Sequence, residues 1–288
     1  MIKKSWQDHV FEVCNTLFMI VIMFVTAYPL WHVLMGSFSN PKLLSAHTGL
    51  LLRPLEFYVD SYKEVFGNPN IITGYGNTIL IVILGTVAST FFTALGAYCM
   101  SRKAFPFKRI IMFLIIFTMY FGGGIIPTYL LTNNTLDMGN TRAVLIIPVL
   151  INTYNMILMR SGFEGIPDSL EESAQIDGAS HFRILFQITI PCALPTMAVI
   201  VLYYAVSYWN EWFRASIYIT DRNKLPLQVI LREILNVAAA SGDAADAVAI
   251  AESIRYASII VATVPILCVY PFIQKYFVKG TMIGAVKG

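Results

Sequence analysis

The chain has 288 residues; 57% are apolar, 13% are charged, and the formal net charge is +3. Soluble domains carry about 45–50% apolar and about 25% charged residues, so an ordinary soluble enzyme and a disordered chain are excluded. The weak net charge, with no basic run longer than two residues, excludes a nucleic-acid binder. A polytopic membrane protein is what remains. About 20 apolar residues cross the hydrocarbon core as a helix, so there is room for roughly six spans.

Six apolar stretches stand out, at 15–35, 78–100, 110–131, 143–159, 193–213 and 254–277. Lys3 and Lys4 precede the first, as in a signal peptide. Its apolar run is too long for one, and no small-x-small cleavage site follows promptly, so it reads as a retained span. The third stretch is interrupted by Gly122-Gly123-Gly124 and Pro127, the fifth begins near Pro195, and the sixth carries Pro265 and Pro271. Membrane helices tolerate such breakers when neighbours re-satisfy the freed backbone groups. Cys14, Cys99, Cys192 and Cys268 each lie in or beside an apolar run and read as small apolar filler. No disulfide and no metal site is expected.

Orientation follows from Lys and Arg in the short links. The link after the second stretch holds Arg102, Lys103, Lys108 and Arg109 and no acid, which places it in the cytoplasm. Six spans then put the N-terminus and the tail with Lys275, Lys279 and Lys287 inside as well. The link 160–192 falls inside and the link 214–253 outside.

That second inner link is rich in acids: Glu164, Asp168, Glu171, Glu172 and Asp177. Acids contribute little to topology, so another cause placed them there. Pro167 and Asp168 are helix-entry signals. Leu170, Ala174 and Ile176 give a short apolar face, Gly178 bends or breaks the helix, and Phe182, Leu185, Phe186 and Ile188 mark a second run that ends at Pro191 and Pro195. The expectation is helix, glycine bend, helix along the inner surface. By itself such a hairpin is an interfacial connector.

Here the chain resembles the binding-protein-dependent permeases of ABC importers. Their cytoplasmic "EAA" loop reads Glu-Ala-Ala, three residues, Gly, nine residues, Ile-x-Leu-Pro. This chain has Glu172-Ser173-Ala174, then Gly178, then Ile188-Thr189-Ile190-Pro191 at that spacing, departing at Ser173 and Ile190. The six-span plan and the Gly-rich tail, Gly280 to Gly288, look like the second permease of maltose-type carbohydrate importers. FGGGIIPTYLL and AVSYWNEWFRA look like a subgroup linked to oligosaccharide and complex-polysaccharide uptake.

The resemblance implies a type I ABC importer permease fold: an all-α membrane protein, six transmembrane helices, both termini cytoplasmic, with a coupling helix between helices four and five. Residues 1–288 are then one permease domain, and 164–191 the coupling loop within it. Glu172, Ser173, Ala174, Asp177, Gly178 and Pro191 are the residues expected to meet the ATPase. In maltose-type permeases the tail can reach between the ATPase subunits; residues 284–288 are compatible with that and also with a frayed terminus. The chain has no Gly-x-x-x-x-Gly-Lys-Ser/Thr motif, so no cofactor is expected on this chain, and ATP and Mg belong to the partner. Implied partners are a second, homologous permease forming a heterodimer, two ATPase subunits and an extracytoplasmic solute-binding protein. The implied cargo is an oligosaccharide and the implied location the bacterial cytoplasmic membrane.

A sugar pathway wants aromatic faces for the rings and amides or hydroxyls for their hydroxyl groups. Candidates are Asn152, Tyr154 and Asn155 in the fourth stretch and Tyr204, Tyr208, Asn210 and Glu211 in the fifth. Tyr204, Tyr208 and Glu211 recur at i, i+4, i+7, on one helix face. Helix–helix hydrogen bonding explains them equally. His32 and Glu211 are ionisable groups near span ends, and Trp209 and Trp212 read as aromatic-belt anchors. The Ala-rich segment 237–252, with Asp243, Asp246 and Glu252, reads as a short external helix. An importer permease for a non-carbohydrate solute is the neighbouring alternative. An ion-coupled secondary carrier would carry mid-membrane acids and inverted repeats, and a membrane enzyme a His or Asp cluster; the sequence displays none of these.

Overall fold

The computed structural model describes residues 5–240 and 245–285. Among the described residues the chain is helical, with one isolated antiparallel bridge, Ser39 to Phe57. It divides into two compact units.

The first unit comprises the chain up to Pro69 together with Leu231–Val264. Its helices are α1 (Trp6–Ser37), α2 (Pro41–Ala46) and α3 (Asp60–Gly67). The N–H of Ser5 donates to the Asp8 carboxylate at 2.7 Å and opens α1. The apolar window of α1 has no buried residue, so this helix presents its side chains to lipid or to another chain. Thr16 and Thr26 donate their hydroxyls to carbonyls four residues back, which satisfies them without a partner helix. The segment after α1 folds back on it: Leu51 N–H donates to Tyr28 at 3.0 Å and the Trp31 indole donates to the Leu52 carbonyl at 3.1 Å. Gly36 allows close approach, since a Cβ there would lie 2.8 Å from the Tyr256 ring. The buried hydroxyls of Ser61 and Ser253 meet at 2.6 Å. His32 is packed edge-on against Tyr28 and Tyr256.

The second unit comprises Asn70–Ile230 and the chain from Pro265. It contains α4 (Pro69–Ser101) and α5 (Lys108–Tyr120). A short α6 (Ile125–Tyr129) runs on as a π turn to Thr135, and 3-10 turns follow at Arg142–Leu145 and Ile147–Val149. Then come α7 (Thr153–Glu164), α8 (Asp168–Ile176) and α9 (His181–Ile184), with a π turn Leu185–Thr189 leading into α10 (Ile190–Cys192). The rest is α11 (Leu194–Trp209), α12 (Phe213–Tyr218) and the start of α13 (Leu227–Ala240). The last helix, α14, runs Ala245–Ala285.

Among the described residues three helices are individually long and apolar enough to cross a membrane: α1, α4 and the Val248–Val269 part of α14. The expected third, fourth and fifth spans are not single rods. Each is a helix pair, bent by 108° after Tyr120, by 52° before Thr153 and by 90° between Cys192 and Leu194. Local features permit each bend. Gly124 has φ +85°, a conformation that residues with a Cβ rarely adopt. Asn152 leaves helical geometry to cap α7, and Pro195 at the start of α11 donates no N–H.

Small and hydroxylated residues of α4 let α11 approach closely. A Cβ on Gly85 would sit 2.7 Å from the Tyr208 ring. Ser89 meets Tyr208 at 2.8 Å and Thr93 meets Tyr204 at 2.7 Å, all four buried. The link after α12 is anchored too. Asn77 donates to the carbonyls of Asn223 and Leu225 at 2.8 and 3.0 Å and accepts from Arg142 at 3.0 Å. Leu227 N–H donates to Thr78 at 2.9 Å. The expected free-standing external helix at 237–252 is instead the end of α13 and the start of α14, with 241–244 outside the described residues. Both flanks belong to longer helices because their apolar pattern continues beyond the Ala-rich segment.

Candidate coupling site

α8 begins after Pro167, whose extended backbone ends the preceding turn. Asp168 and Glu171 occupy its first turn, where the helix dipole favours negative charge. Its end is a Schellman closure: Gly178 N–H donates to the Gln175 carbonyl at 3.0 Å and Ala179 N–H to Ala174 at 2.9 Å. Gly178 has φ +76° and a Cβ there would touch nothing. Glycine is therefore required by the backbone angle and not by crowding. Ser180 then caps α9 by accepting from Arg183 N–H. The expected helix, glycine bend, helix is what forms.

The acids of this link are not all available to a partner. Glu171 is ion-paired with Arg102, the residue just beyond α4. The Tyr98 hydroxyl donates to the same carboxylate at 3.2 Å and lies 3.4 Å from His181 Nδ1. The Arg102 guanidinium stacks 4.7 Å above the Tyr98 ring, a cation–π contact. Asp168 meets Lys103 at 2.5 Å. Glu164 accepts from Lys108 at 3.0 Å and from Arg160 at 2.9 Å. A polar cavity of about 480 Å³ lies between the two links, walled by Arg102, Lys103, Lys108, Glu164, Pro167 and Asp168. The hydrogen bond and charge of Lys103 hold the Asp168 carboxyl below the ordinary aspartate value, and Asp168 in turn raises the Lys103 ammonium.

Three of the five acids, Glu171, Asp168 and Glu164, neutralise the basic link between α4 and α5. Glu172 and Asp177 are different: both are exposed, and neither carboxylate makes a hydrogen bond or ion pair among the described residues, although the charge of Glu172 reaches Lys103. Ser173 is exposed and donates to the Ser169 carbonyl at 2.8 Å. Ala174 turns inward and is buried, whereas Leu170 and Ile176 face outward, Ile176 at 85% exposure. The expected apolar face is thus divided. One small residue packs against the chain, and two large ones stand beside the free carboxylates. Pro191 is exposed in α10, before the 90° bend. Sequence reasoning overlooked Tyr98, Arg102 and Glu171 as a unit. The signal was present: four cations at 102–109 and four acids at 164–172 were assigned to the same side of the membrane.

The pathway candidates divide in a similar way. Tyr204 donates to or accepts from Thr93, and it accepts the backbone N–H of Asn152 at 2.9 Å. Tyr208 is held by Ser89. Asn155 is buried, its N–H capped by the Asn152 side chain at 3.1 Å. Glu211 is buried, ion-paired with Arg214, and accepts the Arg214 N–H at 2.9 Å. Outward-facing are Asn152, Tyr154 and Asn210. So the i, i+4, i+7 face of Tyr204, Tyr208 and Glu211 is an internal packing face. Trp209 is buried and tilted against Tyr75, which corrects its reading as a belt anchor. Among the described residues no group of three or more His, Cys, Asp or Glu is placed to hold a metal ion. The tail residues 286–288 lie outside the described residues.

The architecture has counterparts. The model of a family described as "Binding-protein-dependent transport system inner membrane component" matches residues 93–283. Protein LplC of Bacillus subtilis (strain 168) is 40% identical, covering 97% of this chain and 95% of its own. The polygalacturonan/rhamnogalacturonan transport system permease protein YtcP of the same organism is 37% identical, covering 98% of this chain and 100% of its own. Among solved structures, a bacterial ABC transporter involved in import of the acidic polysaccharide alginate superposes with a TM-score of 0.83. It is 31% identical and covers 96% of this chain and 100% of that one. The chain belongs to the binding-protein-dependent transport system inner membrane components: it is a non-catalytic, membrane-spanning permease subunit of an ABC importer.

Proposed function

We propose that this permease imports oligosaccharides and takes its drive from a partner ATPase through the link 164–191. The observation that carries the coupling reading is the state of α8. It is clamped to the end of α4 by the Arg102–Glu171 pair, yet the exposed carboxylates of Glu172 and Asp177, beside Ile176, are in no ion pair among the described residues. A partner with a basic, partly apolar groove fits that surface. Ser173 is small enough for close contact, Ala174 seats the helix, Gly178 makes the turn and Pro191 closes the link. A helix so held moves as a rigid body when its partner moves, and the bent pairs give the membrane part places to hinge.

In this reading the three long helices and three bent pairs are six spans, with both termini cytoplasmic. Residues 1–288 are one permease domain. Beside it stand a second, homologous permease, two ATPase subunits that bind ATP and Mg, and an extracytoplasmic solute-binding protein, in the bacterial cytoplasmic membrane. The oligosaccharide cargo is supported by the names of relatives such as YtcP and by the alginate importer. Asn152, Tyr154 and Asn210 supply outward polar and aromatic groups to the pathway, while Asn155, Tyr204, Tyr208 and Glu211 shape its wall from behind.

The test is the double variant Glu172→Ala, Gly178→Pro in the reconstituted importer. Oligosaccharide uptake and binding-protein-stimulated ATP hydrolysis are expected to fall together; transport that continues unchanged sinks the coupling reading. Uptake of a panel of oligosaccharides, with and without a binding protein, tests the cargo.

A further inference from the structure

A second cavity, of about 610 Å³, opens at the start of α5. It is lined by four cations, Lys103, Lys108, Arg109 and Arg160, and by the apolar Met112, Phe113 and Ile116. We propose that this groove binds an anionic phospholipid of the cytoplasmic leaflet, with the phosphate among the cations and an acyl chain along the apolar residues. The leaflet rests on the topology proposed above; the lipid chemistry does not.

Three observations favour this occupant. The first is charge. Four cations face two carboxylates, Glu164 and Asp168, which leaves 4 − 2 = 2 positive charges. Arg109 is exposed and makes no hydrogen bond or ion pair among the described residues. The second is the helix end. α5 begins after Phe107, which has φ 55° and provides no side-chain cap. Its first turn carries Lys108 and Arg109 where the helix dipole disfavours cations, so an anion bound there relieves both the dipole and the orphan N–H groups. The third is the floor. Phe113 is 65% exposed and Ile116 38% exposed, whereas Met112 is buried. A soluble anion leaves that apolar floor wet; a lipid covers it. Basic pockets at the cytoplasmic ends of membrane helices have this headgroup chemistry. A zwitterionic lipid brings a cation of its own into a site that already has an excess of them.

The experiment is native mass spectrometry of the full-length chain, delipidated and then offered phosphatidylglycerol, phosphatidylcholine or glycerol 3-phosphate. Retention of phosphatidylglycerol over phosphatidylcholine, undisturbed by excess glycerol 3-phosphate, is expected. Arg109→Ala should weaken that retention about fivefold, the effect of one cation at an anionic surface, and Arg109→Lys should restore most of it. Arg109 has no internal partner, so neither change removes a folding contact. Equal retention of both lipids, displacement by glycerol 3-phosphate, or unchanged binding by Arg109→Ala overturns the proposal. The leaflet is read separately, from labelling of Ala104→Cys by a membrane-impermeant thiol reagent after the four native cysteines are replaced by serine. Protection in intact cells supports the cytoplasmic leaflet, and labelling there overturns it.

Discussion

The guanidinium of Arg102 is ion-paired with the carboxylate of Glu171, and the two side chains are only 19% and 15% exposed. Arg102 follows the last turn of α4, and Glu171 sits in the first turn of α8. A membrane-crossing helix and the link's helix are therefore tied by a half-dry charge pair, with the Tyr98 ring beneath the arginine. The pair links α8 to α4 directly, bypassing the helices that lie between them in the chain.

Breaking that tie should uncouple the two helices. An exposed pair is worth about 1 kcal/mol or less, while breaking a buried one costs about 3–5 kcal/mol. At this partial burial, Glu171→Gln should cost about 2 kcal/mol. Thermal unfolding in detergent should show a lowered midpoint, and ATP hydrolysis by the assembled importer should respond less to binding protein. The exchange Arg102→Glu with Glu171→Arg should recover part of both losses. A single substitution with wild-type stability and wild-type coupling would show that the pair transmits nothing.

The Lys103–Asp168 pair behaves differently, because both side chains are well exposed. Lys103 lowers the Asp168 carboxyl. Its contribution is thus complete above the ordinary aspartate value, about 3.9, and is lost as pH falls through the lower folded-state value. Asp168 raises Lys103. That contribution is complete below the ordinary lysine value, about 10.4, and is lost as pH rises through the higher folded-state value. The difference in unfolding midpoint between wild type and Asp168→Asn should be small and flat from about pH 5 to about pH 9. A difference that changes steeply near neutrality would contradict this assignment.

Inside the membrane part, Tyr204 and Tyr208 look equivalent in sequence but carry unequal duties. Tyr204 serves Thr93 and the backbone N–H of Asn152, whereas Tyr208 serves Ser89 alone. Removing the Tyr204 hydroxyl strands the buried Thr93 hydroxyl and the partly buried Asn152 N–H, so Tyr204→Phe should cost about 1–2 kcal/mol and Tyr208→Phe about 0.6 kcal/mol. Denaturant unfolding of the two variants side by side checks the order. Equal losses would mean that the Asn152 contact contributes nothing.

Two glycines separate backbone need from crowding. Gly178→Ala meets no neighbour but must adopt φ +76°, which costs about 1 kcal/mol; Gly178→Asn should be milder. Gly85→Leu has ordinary backbone angles to adopt but pushes into the Tyr208 ring, and overpacking of this kind costs about 1–3 kcal/mol. The first should reduce coupling while leaving unfolding little changed, and the second should lower the unfolding midpoint. ATPase stimulation and thermal unfolding, measured on both, separate the effects.

Much of this molecule is written along the chain itself. Composition alone determined the membrane class, because a shortage of charge cannot cover a soluble surface. Apolar run lengths marked the spans, Gly178 marked the bend and the spacing from Glu172 to Pro191 marked the link. These are local properties, set by side-chain hydration and backbone angle. Only the tertiary structure decided that three of the expected spans are bent helix pairs. A Gly or Pro permits a break, but whether the chain uses it depends on what packs alongside. Only the tertiary structure, too, assigned the charges: Glu171 and Glu172 are neighbours with the same chemistry, yet one faces Arg102 and the other faces outward. Adjacent residues on a helix point about 100° apart, and which direction meets a cation is fixed by a helix end some 70 residues earlier in the chain. Tyr204 and Tyr208 show the same limit. Their spacing determined a shared face, and the hydroxyls of α4 decided that this face is interior.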